Sequence, residues 1–191
     1  MTDSLDSDYL RGRALMEAGK LVVGSALLES AAAMGDANAA TYLGYALLRD
    51  TRFNGDNSTA ARQWFLRGSD LGCIESEFQL GLLENDAGNL SVASSWFNRA
   101  ASRGHIAAAQ RMGYLALHAR DLSESEIAAG LERMSWAASQ GHAFAMRDMS
   151  RVLLTSKFGK RNIPKAIFLR LKSLVTLIRI YSKDQNHELI R

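Results

Sequence analysis

The sequence predicts an all-α protein, built as a stack of short antiparallel helix pairs and closed by a C-terminal helix. Three observations carry this expectation. A single proline stands among 191 residues, and Ala and Leu are abundant, a composition that favours helix. Val and Ile are sparse until the C-terminal quarter, which argues against a large sheet. The glycines recur in two linked series at a helix-pair spacing, the mark of a repeat architecture.

The first series is Gly35, Gly72, Gly104 and Gly141; nine residues later come Gly44, Gly81, Gly113 and, in the last copy, Ser150. Four residues before the first glycine stand Ala31, Gly68, Ala100 and Ala137, and four after it Ala39, Ser76, Ala108 and Ala145. Seven before it are the bulky Leu28, Phe65, Phe97 and Met134. Each copy therefore reads as a first helix, a tight glycine turn and a second helix. The first glycine follows the last residue of the first helix, where a left-handed conformation is least costly without a Cβ. The second lies inside the second helix, where glycine costs about 1 kcal/mol against alanine. Its recurrence predicts that neighbouring helices approach closely there.

The frame extends backwards. Gly12 followed by Ala18-Gly19-Lys20-Leu21 parallels Gly81 followed by Ala87-Gly88-Asn89-Leu90, which makes Gly12 the second glycine of a partial leading repeat. The second-series positions 12, 44, 81, 113 and 150 are then spaced 32, 37, 32 and 37 residues apart. The long links carry their extra residues in Thr51–Thr59 and Arg120–Glu126. In the latter, Ser123-x-x-Glu126 has the form of a capping box that starts the next helix.

The stack is expected over residues 1–156 and a separate basic helix over 157–191. Residues 1–150 hold 13 Lys/Arg against 18 Asp/Glu, whereas residues 151–191 hold 10 against 2. An acidic body thus ends in a basic tail. Pro164 in the first turn of this segment suits a helix start. Ile167, Leu171, Leu174, Ile178 and Tyr181 then form one helical stripe, with Lys165, Lys172, Thr176, Arg179 and Lys183 on the opposite side. So apolar a helix must cover something. It either closes the exposed face of the last repeat, as stacked repeats require, or meets an anionic membrane or a partner protein.

Two stretches carry a family resemblance. Ala61-x-x-Trp64-Phe65-x-Arg67, and Ala93-x-x-Trp96-Phe97-x-Arg99-Ala100-Ala101-x-x-Gly104-His105 with Met112-Gly113-Tyr114, resemble Sel1-like repeats, which are related to TPR repeats. The likeness covers roughly residues 8–156. It implies a right-handed α-solenoid and a non-enzymatic adaptor or scaffold that binds a peptide or protein on its concave face. In bacterial relatives such modules serve secretion, envelope or immunity complexes. Arg67 and Arg99 are candidate partner contacts on the first helices. The fourth copy departs from the pattern: Arg133 takes the Trp64/Trp96 slot, Trp136 takes the Arg67/Arg99 slot, and Ser150 replaces the glycine. Trp136 is for that reason a third candidate; Lys165, Lys172 and Arg179 of the basic helix complete the set. Gly12, Gly35, Gly44, Gly72, Gly81, Gly104, Gly113 and Gly141 are read as structural.

Catalytic and metal chemistry find little footing. His105 and His142 both follow the turn glycine and read as helix-cap residues rather than ligands. His118 and His187 have no thiol or carboxylate at a recognised metal spacing. Cys73 is the one cysteine, so no intramolecular disulfide can form; it occupies the slot of His105 and His142 and reads as a buried thiol. Nucleophile elbows, phosphate loops and dinucleotide fingerprints are absent. No cofactor is expected, nucleic acid is not an expected partner, and monomer against homo-oligomer stays open. Trp64 and Trp96, repeated in place, read as core anchors. The start MTDSLDSDYL lacks the basic-then-apolar form of a secretory leader, and the expected location is the cytoplasm.

Overall fold

The protein is described by a computed structural model covering residues 2–49, 57–118, 122–154 and 163–183, with side chains described over 8–49, 57–118, 122–154 and 167–177. Within these residues every regular element is a helix. They are α1 Thr2–Glu17, α2 Leu21–Ala33, α3 Ala37–Arg49, α4 Ser58–Asp70, α5 Ile74–Asp86, α6 Leu90–Ser102, α7 Ile106–His118, α8 Glu124–Ser139, α9 Ala143–Leu154 and α10 Ile163–Lys183. Much of both long links, at 51–56 and 119–121, lies outside the described residues. The chain divides into two compact units, Met1–Gly88 and Asn89–Arg191.

In both units the helix pairs follow the glycine frame. Gly35, Gly72, Gly104 and Gly141 have φ between 91° and 102°. At Gly104 the turn closes with His105 N–H donating to Ala100 O at 3.1 Å, a geometry that a residue with a Cβ enters only under strain. The residue after the glycine then caps the next helix, which starts one residue later. Its side chain satisfies the otherwise unpaired first-turn N–H groups. Asp36 Oδ1 accepts from Asn38 N and Ala39 N at 2.8 and 3.1 Å. His105 Nδ1 accepts from Ala108 N at 3.1 Å, and His142 Nδ1 from Ala145 N at 3.3 Å. Cys73 holds the same position with no side-chain bond and is half-buried, not buried as its slot suggests. At the second long link, Ser123 N–H donates to Glu126 Oε2 at 2.8 Å while Glu126 N–H donates to Ser123 Oγ at 3.3 Å. The Ser123 hydroxyl, which donates to Glu126 Oε2 at 2.7 Å, and then the Ser123 N–H hold the Glu126 carboxyl below its ordinary pKa.

The second glycines are contact points. In the first unit a Cβ on Gly12 would stand 2.8 Å from Leu28 Cγ, and one on Gly44 2.6 Å from the Phe65 ring. In the second, a Cβ on Gly113 would stand 2.2 Å from Met134 Cβ. At these three places the bulky residue of the succeeding first helix seats in the notch left by the glycine. This contact offsets the helix-propensity loss, since burying such a side chain contributes about 1.5–3 kcal/mol.

The first unit's core gathers Leu28, Ala31, Ala32, Ala39, Ala40 and Leu43, with Tyr9, Met16, Tyr42 and Trp64 packed against it. A hydroxyl pair also lies here, Thr41 Oγ1 to Ser76 Oγ at 2.7 Å, beside Gly68, where a Cβ would collide with Ser76. In the second unit Phe97, Ala100, Ala108, Met112, Met134, Ala137 and Met146 are buried. The tryptophans correct the sequence reading. Trp64 and Trp96 are half-buried, and the fully enclosed anchors are their neighbours Phe65 and Phe97. An indole at that slot is too large to be enclosed between helices spaced by alanine and glycine, so it lies across their edge.

Candidate functional site

Three sequence-predicted residues lie on first helices. Arg67 on α4, in the first unit, is exposed and makes one long contact, Nη2 to Ala32 O at 3.5 Å. Arg99 on α6 and Trp136 on α8 share the second unit. Two bridges hold α6 and α8 side by side: Ser91 Oγ donates to Glu126 Oε1 at 3.1 Å, and Arg133 Nη2 donates to Ser102 Oγ at 2.9 Å. Arg133, standing where earlier copies have tryptophan, thus ties two first helices together. The 37 residues between Arg99 and Trp136 equal the long repeat spacing. By helical register both lie on the side of their helix opposite the enclosed Phe97 or Met134. Arg99 is exposed, its guanidinium 5.5 Å from the Trp96 ring centre; Trp136 is half-buried. The surface therefore combines two indoles with a guanidinium held over one of them, residue types concentrated at protein interfaces.

The remaining three candidates lie on α10. Lys172 is exposed; Lys165 and Arg179 fall on the helix, but their side chains lie outside the described residues, as do those of Ile178 and Tyr181. The helix packs on α9, and the described part of the stripe that the sequence singled out stays exposed. Ser173 faces inward, 2% exposed, and its Oγ donates to Ala143 O at 2.8 Å. Ile167, Leu171 and Leu174 of the stripe are exposed, along with Phe168 and Val175. Sequence periodicity could not choose between faces on a helix apolar nearly all round. Beside Ser150, a cavity of about 310 Å³ opens between α9 and α10, lined by Ser150, Arg151, Leu154, Ile167, Arg170 and Leu171.

Buried polar groups cluster at the start of α9 and along it. Asp148 is 2% exposed, accepts from Gln110 Nε2 at 3.2 Å and pairs with Arg147 Nε at 2.9 Å. His142, also 2% exposed, has its pKa pushed down to about 4, chiefly by burial and against the pull of Asp148. Its ring is therefore neutral at pH 7, consistent with Nδ1 accepting the cap bond. Tyr45, in the first unit, donates to Glu75 Oε1, and burial raises its phenol. Among the described residues no group of three or more His, Cys, Asp or Glu is placed to hold a metal ion, and no helix is long and apolar enough to cross a membrane.

Helix pairs that turn on a glycine, and that within each unit seat a bulky residue of the next helix in a glycine notch, define an α-solenoid of helix-pair repeats. More particularly, the fold is the Sel1-like repeat fold. A Sel1 repeat protein from Oxalobacter formigenes superposes with a TM-score of 0.67 at 24% identity, over 88% of this chain and 68% of that one. The protective antigen c5321 of uropathogenic Escherichia coli, described as an SLR fold, gives 0.65 at 24% over 79% of this chain and 33% of its own. The immunity protein Pa5087 of Pseudomonas aeruginosa gives 0.53 at 21% over 91% and 66%. The chain thus spans a third of the antigen's length and about two thirds of the other two. No protein-family model matches the chain, and no curated protein matches it significantly.

Proposed function

We propose that the chain is a non-enzymatic protein-interaction module, an adaptor or scaffold of the cytoplasm that binds a protein or peptide over the first helices of its second unit. The observation that carries this reading is the surface of α6 and α8. Arg99 lies over Trp96 there, Trp136 occupies the corresponding place one repeat later, and the Ser91–Glu126 and Arg133–Ser102 bridges fix the two helices in register. Tryptophan and arginine are among the residues on which binding energy concentrates, and repeat solenoids bind over extended concave surfaces. Of the settings implied by the resemblance, secretion, envelope and immunity, the immunity-protein neighbour supports the last.

The test is capture of partners from the source cells on the immobilised full chain. Arg99→Glu combined with Trp136→Ala is expected to weaken capture at least about tenfold, with the helical circular dichroism unchanged. Capture that survives the double variant, or a folded chain that retains no protein, overturns the reading.

A further inference from the structure

We infer that α10 is a membrane-surface helix, whose outward face seats in the headgroup region of an anionic phospholipid bilayer while its inward face stays docked on α9. This goes beyond the protein-binding surface of α6 and α8 and uses none of its residues.

One side of α10 is already occupied. Ser173 is buried against α9, with its hydroxyl on the Ala143 carbonyl. Leu169 and Leu177, one helical turn to either side of it, are half-buried. That side is thus satisfied by the protein itself. The other side carries Ile167, Phe168, Leu171, Leu174 and Val175, between 47% and 62% exposed; of these, Ile167 and Leu171 also line the cavity that opens between α9 and α10. These positions span i, i+1, i+4, i+7 and i+8, a continuous apolar arc on one helix. Five large apolar side chains left together in water are not an ordinary surface.

The charges state what covers the arc. Helix α10 contains Lys165, Arg170, Lys172, Arg179 and Lys183 and no Asp or Glu. Arg170 and Lys172 are both exposed, and helical register puts them at opposite margins of the apolar arc. Lys165 and Arg179 stand seven residues before and after Lys172, so the positive margin recurs along the helix by register. A covering surface must therefore be apolar at its centre and negative along its edges. An anionic bilayer has this profile across its interface. Lysine stems lie along the hydrocarbon boundary while their ammonium groups reach the phosphates. A protein partner fits less well, because lysine is depleted from protein interfaces. At about 1.5 Å per residue the 21-residue helix runs roughly 30 Å. Lying flat, it offers its whole arc to the surface. Because no described helix is long and apolar enough to cross a membrane, the contact is peripheral.

The experiment is cosedimentation of the full chain with vesicles. One set is phosphatidylcholine with about a third phosphatidylglycerol; the other is phosphatidylcholine alone. Each is run at about 0.05 and about 0.5 M salt. Binding is expected to the anionic vesicles at low salt and to fall at least about tenfold at high salt or without the anionic lipid. Lys172→Glu is expected to weaken it about fivefold or more. Phe168→Ser with Leu171→Ser is expected to weaken it more than about tenfold. Both replace exposed side chains, so the fold should hold, and circular dichroism checks this. A folded chain that ignores anionic vesicles at low salt overturns the inference, as does binding that neither variant reduces. If vesicles are ignored and the α10 variants instead abolish capture of a protein, the arc is a protein-docking face and the inference also falls. Arg99→Glu with Trp136→Ala should leave vesicle binding unchanged, so the two readings fail separately.

Discussion

The seam between α7 and α8 and the seam between α9 and α10 begin from the same repeat position and are closed by different physics. At the first, Gly113 leaves a notch, and Met134 fills it so closely that a Cβ there would stand 2.2 Å from the methionine's own. At the second, Ser150 takes the glycine's place, a cavity of about 310 Å³ opens beside it, and the inward residue of the next helix is Ser173, held by a hydroxyl bond at 2.8 Å. Volume closes one seam and a hydrogen bond the other. Leu169 and Leu177 flank Ser173 half-buried, and the other large apolar side chains over 167–175 stay exposed.

The largest expected effect tests that contrast directly. Met134 is fully buried, and Met134→Ala should cost about 2–5 kcal/mol, the usual range for emptying a packed site. Leu171, 58% exposed, is as apolar and belongs to the stripe that the sequence highlighted, yet Leu171→Ala should change stability by less than about 0.5 kcal/mol. Chemical denaturation of the two variants decides it. Equal losses would mean that α10 packs through its stripe after all.

Acid should weaken the α9 region in particular. The folded pKa of His142 is about 4, below the 6.5 of the free side chain, so between these values the unfolded chain binds the proton that the folded chain refuses. The contribution is complete above about pH 6.5, declines as the pH falls, and is lost by about pH 4. Over that window the loss is roughly 3 kcal/mol, at about 1.4 kcal/mol per pKa unit. Carboxylates elsewhere also respond to acid, so the quantity to measure is the difference in unfolding free energy between the native chain and His142→Asn at pH 7 and pH 4. Asparagine keeps a cap acceptor and removes the titration. A difference that does not change with pH would show that His142 protonates without opposing the fold.

The repeat frame was legible in the sequence because glycine and alanine are informative where helices touch. Gly12, Gly44 and Gly113 mark close approaches because no other residue fits, and Gly104 marks a turn because few others accept its φ. The Ser123–Glu126 box could likewise be read from residue types and spacing alone. Two of the misreadings concern large side chains. Trp96 and Phe97 are adjacent and equally apolar, and their repeated places do not say which is enclosed; geometry gives that role to Phe97. On α10, Ile167, Phe168 and Leu169 are consecutive, so the hydrophobic pattern fits several rotations, and the buried side proves to be the one carrying a serine. The Trp136 departure was visible in sequence. The bridge by which Arg133 reaches Ser102 was not, because it joins residues 31 apart across two helices.

Ser173 gives a small expected effect and the closest reading of how α10 is held. Its hydroxyl is buried and donates to the carbonyl of Ala143 in the first turn of α9. Ser173→Ala removes the donor with almost no change in volume, so the loss should be about 1 kcal/mol, the net worth of one such bond, since the Ala143 carbonyl keeps its helical partner. Ser173→Leu, by contrast, forces bulk into the side of α10 that lies on α9, and should cost about 1–3 kcal/mol unless the helix turns to direct the leucine outward. A rotation would bring part of the exposed arc against α9, and vesicle binding would fall with it. Stability and lipid affinity measured together on this variant therefore show whether the hydroxyl bond only fastens α10 or also sets which face it presents.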